Sequence, residues 1–149
     1  MKLKEIYNLA IAMGVDSDFR GKEEIEKLLR RLKEKYGKME DWQKEDFDIE
    51  RLINPFSDTR ILFGDPEKEV KKILAGIDME GDELLLADKM GDVDLVLSHH
   101  PRGKALAGLD DVMRLQVDVL AQYGVPVNIA EKLLKKRIEE VARGIAPSN

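Results

Sequence analysis

The sequence predicts an α/β fold, a mostly parallel sheet with flanking helices behind a helical N-terminal arm. Three observations carry this expectation. Val93, Leu95, Val96 and Leu97 form an apolar run with little polar interruption, the pattern of a strand buried on both faces. A second run, with Val70, Ile73, Leu74, Ala75 and Ile77, ends at Asp78, and a short helical stripe lies between the two. Strand, helix and strand in that span match the roughly 30 residues of a βαβ crossover. Ahead of them, residues 1–52 show helical spacing and no strand signal.

In chain order, Leu3, Ile6, Tyr7, Ala10 and Met13 make one helical stripe that Gly14 should end. Ile25, Leu28, Leu29, Leu32 and Tyr36 make the next, with Glu23 and Glu24 in its first turn and Gly37 after it. A short helix over 40–47 should be anchored by Trp42, Phe47 and Ile49. The composition changes at Asn54-Pro55. Ile61-Leu62-Phe63 reads as a short strand stopped by Gly64-Asp65-Pro66. Leu84, Leu85, Ala87 and Met90 form the crossover helix, closed by Gly91. Residues 108–123 read as one helix, and Val125-Pro126-Val127 as a further strand whose edge, near residues 125–128, should be open. Asn128 with Glu131 resembles a capping box for a last helix carrying Leu133, Leu134, Ile138 and Val141, and residues 142–149 trail off. The division expected is a helical arm over 1–52 and an α/β domain over 53–149.

Composition narrows the function classes. The chain has 149 residues, 43% hydrophobic and 37% charged, enough for one folded core. A net charge of −5 argues against a generic nucleic-acid binder, which presents a basic face. With no cysteine, any metal must sit on His, Asp or Glu. No run approaches the ~20 apolar residues of a membrane helix, and the start lacks a signal-peptide core, so the expectation is a cytoplasmic protein with no membrane partner. The scattered glycines give neither a dinucleotide fingerprint nor a phosphate loop with Lys-Ser or Lys-Thr.

The only two histidines, His99 and His100, stand side by side at the end of the apolar run, before Pro101. Proline cannot continue a ladder, so the strand should stop there and leave both imidazoles at its C-terminal tip, where open α/β sheets place their chemistry. Parallel strands end at one edge, so Asp78 should emerge beside them. Adjacent side chains on a regular strand leave on opposite faces. Either a backbone twist brings both rings to one ion, or each ring holds its own ion of a two-metal pair. The plain alternative is a hydrogen-bonded surface pair. Asp58, on the loop before the Ile61-Leu62-Phe63 run, is a second acidic candidate. Arg102-Gly103-Lys104 follows directly and reads either as an anion-holding loop or as a solvated one. Ser98 is discounted as a nucleophile, because no Gly-x-Ser-x-Gly elbow surrounds it.

Gly76-Ile77-Asp78, a helix, and then Asp94-Leu95-Val96-Leu97-Ser98-His99-His100-Pro101 resembles the N-terminal half of the Nif-three-like dinuclear-metal-centre family. The founding member is a yeast NGG-interacting factor, and members are widely labelled GTP cyclohydrolase I type 2 homologues. Phe56-Ser57-Asp58-Thr59-Arg60-Ile61-Leu62-Phe63-Gly64-Asp65 is similar, more loosely, to the segment such proteins carry before their first strand. The similarity spans roughly residues 54 to 128. It implies that His99 and His100 are ligands of a two-metal centre holding Zn, Mn or Fe. It also implies a hydrolase-like activity on a small anionic or nucleotide-like molecule, and homo-oligomers in full-length members. The family completes its site with a His-Thr-x-x-Asp and a His-x-x-x-Glu motif. A chain with two histidines carries neither, so the resemblance implies half a site on the first part of a longer protein.

Overall fold

The computed structural model describes residues 1–145. Among the described residues eight helices accompany one parallel pair of strands: α1 (Leu3–Ser17), α2 (Lys22–Gly37), α3 (Asp41–Glu45), β1 (Ile73–Gly76), α4 (Gly81–Met90), β2 (Leu95–Ser98), α5 (Gly103–Ala107), α6 (Leu109–Met113), α7 (Leu115–Gln122) and α8 (Val127–Ile145). A 3-10 turn over Ile49–Leu52 follows α3. The fold is therefore mixed α/β with N-terminal helices, and the expected mostly parallel sheet shrinks to two strands. No helix among the described residues is long and apolar enough to cross a membrane.

α1 begins where the chain start clips onto residues 66–70. The first free N–H groups of a helix need partners. Leu3 and Lys4 donate theirs to the carbonyls of Lys68 and Pro66 at 3.0 and 2.9 Å, and Val70 donates to Met1 at 2.7 Å. The helix runs one turn past Gly14. That glycine is a packing position, since a Cβ there would meet Phe56 Cε2 at 2.8 Å. α2 buries Ile25 and ends at Gly37 as expected. Of the three anchors expected near α3, Phe47 stacks on Tyr36 with ring centroids 5.0 Å apart, whereas Trp42 and Ile49 are exposed.

β1 and β2 pair in parallel from Ile73↔Leu95 to Gly76↔Ser98, with α4 as the crossover. At the opening end, the Asp94 carboxylate accepts the backbone N–H groups of Lys71 and Lys72 at 2.9 and 3.1 Å, which hold it below the usual range. Paired residues share a face. Ile73, Ala75 and Leu97 lie exposed on one of them, and Leu84, Leu85 and Leu86 of α4 are exposed too.

The two other strands do not form. An apolar triplet becomes a strand only where another strand satisfies its backbone. Residues 61–63 have none beside them, and Phe63 is 97% exposed. At 125–127 the Val125 N–H is spent on the Leu120 carbonyl at 3.0 Å, and Pro126 has no N–H. The Pro126 carbonyl instead accepts from Ile129 and Ala130, opening α8 before the expected cap at Asn128. The open sheet edge expected near residues 125–128 is consequently absent. The single helix expected over 108–123 is broken at Arg114 into α6 and α7, and Gly108, where a Cβ would meet Ser57 Cβ at 2.7 Å, stands before α6 and parts it from α5. α6 and α7 pack on α8, which buries Ala130 and Ile138 and stays helical through 142–145; the expected tail over 146–149 lies outside the described residues.

One polar junction ties the arm to the rest. Asn54, 2% exposed, donates to Tyr7 Oη at 2.9 Å and to the Thr59 carbonyl at 2.8 Å. Tyr7 donates to Glu50, and the Arg60 guanidinium lies 3.3 Å from Glu50 and 3.1 Å from Asp48. Burial raises the Glu50 carboxyl, but the Tyr7 hydroxyl, Lys104 and Arg60 outweigh it and hold Glu50 below its ordinary value. Burial, then the Glu50 hydrogen bond and charge, push Tyr7 from 10.0 up to about 12. A raised folded-state value contributes stability that is intact below pH 10 and lost as pH rises toward 12. Tyr7→Phe is expected to remove this dependence, about 1 kcal/mol after solvent screening. Urea unfolding of both chains below pH 10 and near pH 12 checks it, and parallel pH profiles would contradict it.

Candidate functional site

Because β1 and β2 are parallel, residues 77–78 and 99–100 leave the sheet at one edge. The ladder continues past Ser98. His99 N–H donates to the Gly76 carbonyl at 2.9 Å, and His100 N–H to the Ile77 carbonyl at 2.8 Å. In a regular parallel strand only alternate N–H groups face the same neighbour. Two consecutive donors mean that the backbone has twisted at this point. The two imidazoles are accordingly neighbours, with ring centroids 5.3 Å apart and planes inclined by 33°. Both are exposed.

Ser98 holds the twist. Its hydroxyl lies 2.7 Å from the His100 carbonyl and 3.3 Å from the Ile77 carbonyl, so it is occupied by backbone acceptors. The sequence reading discounted Ser98 as a nucleophile and missed this bracing role. A serine two residues before the end of a turn was the available signal.

Asp78 meets His100 as the topology requires. Its Oδ1 lies 2.9 Å from His100 Nδ1 and 3.0 Å from an Arg102 NH2. The His100 hydrogen bond, reinforced by the His100 and Arg102 charges, keeps the Asp78 carboxyl below the usual range. An ionised carboxylate only accepts, so His100 carries a proton on Nδ1, and in the neutral ring Nε2 is then the lone-pair nitrogen. Arg102 also pairs with Glu80, a residue that no sequence signal singles out.

Lys104 and Asp58 lie elsewhere. Arg102-Gly103-Lys104 is the start of α5, and both cations are matched by acids. Lys104 lies 3.3 Å from Asp48 and 3.2 Å from Glu50, at the polar junction. Asp58 lines a separate cleft of about 410 Å³ that neither histidine nor Asp78 borders. Among the described residues no group of three or more His, Asp or Glu is arranged to hold a metal ion, so the edge offers two imidazoles and an orienting carboxylate. Compared with protein-family models, curated proteins and solved structures, the chain matches none.

Proposed function

We propose that this chain is a metal-binding, hydrolase-like protein of the dinuclear-metal-centre type, with His99 and His100 as ligands of a divalent ion. The reading rests on one observation: His100 is fixed through Nδ1 on Asp78, with His99 as its ring neighbour at 5.3 Å. Metal-bound histidines characteristically donate their other nitrogen to a carboxylate, which sets the tautomer and makes the ligand more basic. Two imidazoles on one tetrahedral ion, with bonds of about 2.0–2.1 Å, hold their centroids roughly 5 Å apart, so the pair fits as two ligands. When bound, such an ion lowers the pKa of a coordinated water toward neutrality and supplies hydroxide for hydrolysis. In this reading Asp78 holds the His100 proton, Arg102 keeps Asp78 ionised, and Ser98 keeps the rings on one side. The substrate class is a small anionic or nucleotide-like molecule.

A second reading is a non-catalytic, metal-dependent protein that assembles with other copies. The exposed Leu97 and Ile77 beside the histidine edge favour it. Titration calorimetry with Zn²⁺ and Mn²⁺ tests both readings. The His99→Ala/His100→Ala chain is expected to bind at least about tenfold more weakly than the native one. Equal uptake would sink the metal assignment. If metal binds through the pair, turnover of nucleotides or phosphoesters that a chelator abolishes selects the first reading, and its absence the second.

A further inference from the structure

We infer that the cleft between α2, the 54–58 loop and the α6–α7 helices is a binding site for a small organic cation with an apolar body, an aryl-alkyl ammonium compound. Its volume of about 410 Å³ lies within the ~300–1,000 Å³ of small-molecule sites. Leu28 and Leu32 of α2, Phe56, Val112 and Leu115 give it an apolar lining.

The charges around that lining decide the ligand's sign. Three arginines border the cleft, and each lies within 4 Å of an aspartate, Arg51 and Arg114 sharing one and Arg20 having two. Asp18 clamps Arg20 through Nε and NH2 at 2.9 and 2.7 Å, and Asp118 lies 3.6 Å from it. Asp111 lies 2.8 Å from Arg51 and 3.5 Å from Arg114. The remaining charge on the wall is Asp58. It is half-buried, it accepts a hydrogen bond from the Thr59 hydroxyl at 3.5 Å, and among the described residues no cation pairs with it. A carboxylate beside apolar surface bears a desolvation cost that an incoming cation offsets. An anion would first have to break an Arg–Asp pair. Phe56 adds an aromatic ring, a favourable neighbour for an ammonium group. The cleft is separate from the histidine edge, so the inference stands whether or not that edge holds metal.

Amide chemical shifts of the full chain, followed during titration with 2-phenylethylammonium chloride, test this. Resonances of residues 54–58 and 111–118 are expected to move saturably, with a Kd of roughly 1 mM or tighter. 2-Phenylethanol and 3-phenylpropionate, of similar shape without positive charge, are expected to bind at least about tenfold more weakly. Asp58→Asn is expected to erase the preference of ammonium over alcohol. Tighter binding of the propionate would assign the cleft to anions through its arginines and overturn the inference. Equal binding of all three probes, or no saturable shift at these residues, would overturn it as well. If Asp58→Asn fails to fold, the ranking of the three probes on the native chain decides alone.

Discussion

Arg60→Ala is expected to lower the unfolding free energy by about 3–5 kcal/mol, the usual cost of removing one partner from a buried ion pair. The Arg60 side chain is 1% exposed and serves several groups at once. It donates to the carbonyls of Phe56 and Thr59 at 2.9 and 3.2 Å and neutralises Asp48 and Glu50. Truncation takes one donor from each of two carbonyls, which keep the Asn54 amide and the Thr59 N–H, and leaves two carboxylates with Lys104 as their remaining cation. One feature pulls the other way: among the described residues the buried Arg60 Nε has no partner, a cost that truncation relieves, which favours the lower end of the range. Lys104→Ala touches the same two acids from outside. Its side chain is 55% exposed, so the loss should be about 0–1 kcal/mol. Urea unfolding of the two variants should therefore separate them clearly. Similar losses would mean that the junction holds no more than a surface pair.

This junction was hard to read from sequence, and the reason is physical. Tyr7, Asp48, Glu50, Asn54, Arg60 and Lys104 share no periodicity, and they meet only in the folded chain, across separations of up to 54 residues between Glu50 and Lys104. The histidine edge was legible for the opposite reason. A βαβ unit is local, its strands must be parallel, and parallel strands deliver Asp78 and His100 to one rim without any knowledge of the remaining fold. The rings' convergence was left open between a backbone twist and two separate ions. The consecutive N–H donors of His99 and His100 favour the twist. The errors fall where structure depends on a neighbour that sequence does not announce. Residues 61–63 and 125–127 have strand-like side chains, yet no strand lies beside them to form a ladder. Gly14 and Gly108 look like helix stops or starts. Both are places where Phe56 or Ser57 comes too close for a Cβ; Gly14 ends no helix, whereas Gly108 stands before α6 as its position suggests.

Asp78→Asn is expected to weaken divalent-metal binding by about 10–100-fold, the range found when the partner of a metal-bound histidine is removed. The substitution keeps the shape of the side chain and an oxygen for His100 Nδ1, but it removes the negative charge that fixes the tautomer. With a neutral amide in place, His100 is freer to carry its proton on Nε2, the nitrogen an ion needs. Arg102 loses one of its two acids and keeps Glu80. Because the Asp78 and His100 side chains are 57% and 55% exposed, the thermal unfolding midpoint should hardly move. That contrast makes the variant informative. Weaker Zn²⁺ uptake in calorimetry at an unchanged midpoint is the signature of a carboxylate that acts through the imidazole. Unchanged uptake would show that Asp78 does no more than hold a surface loop. A drop in uptake and midpoint together would make it a structural residue whose loss disturbs the edge as a whole.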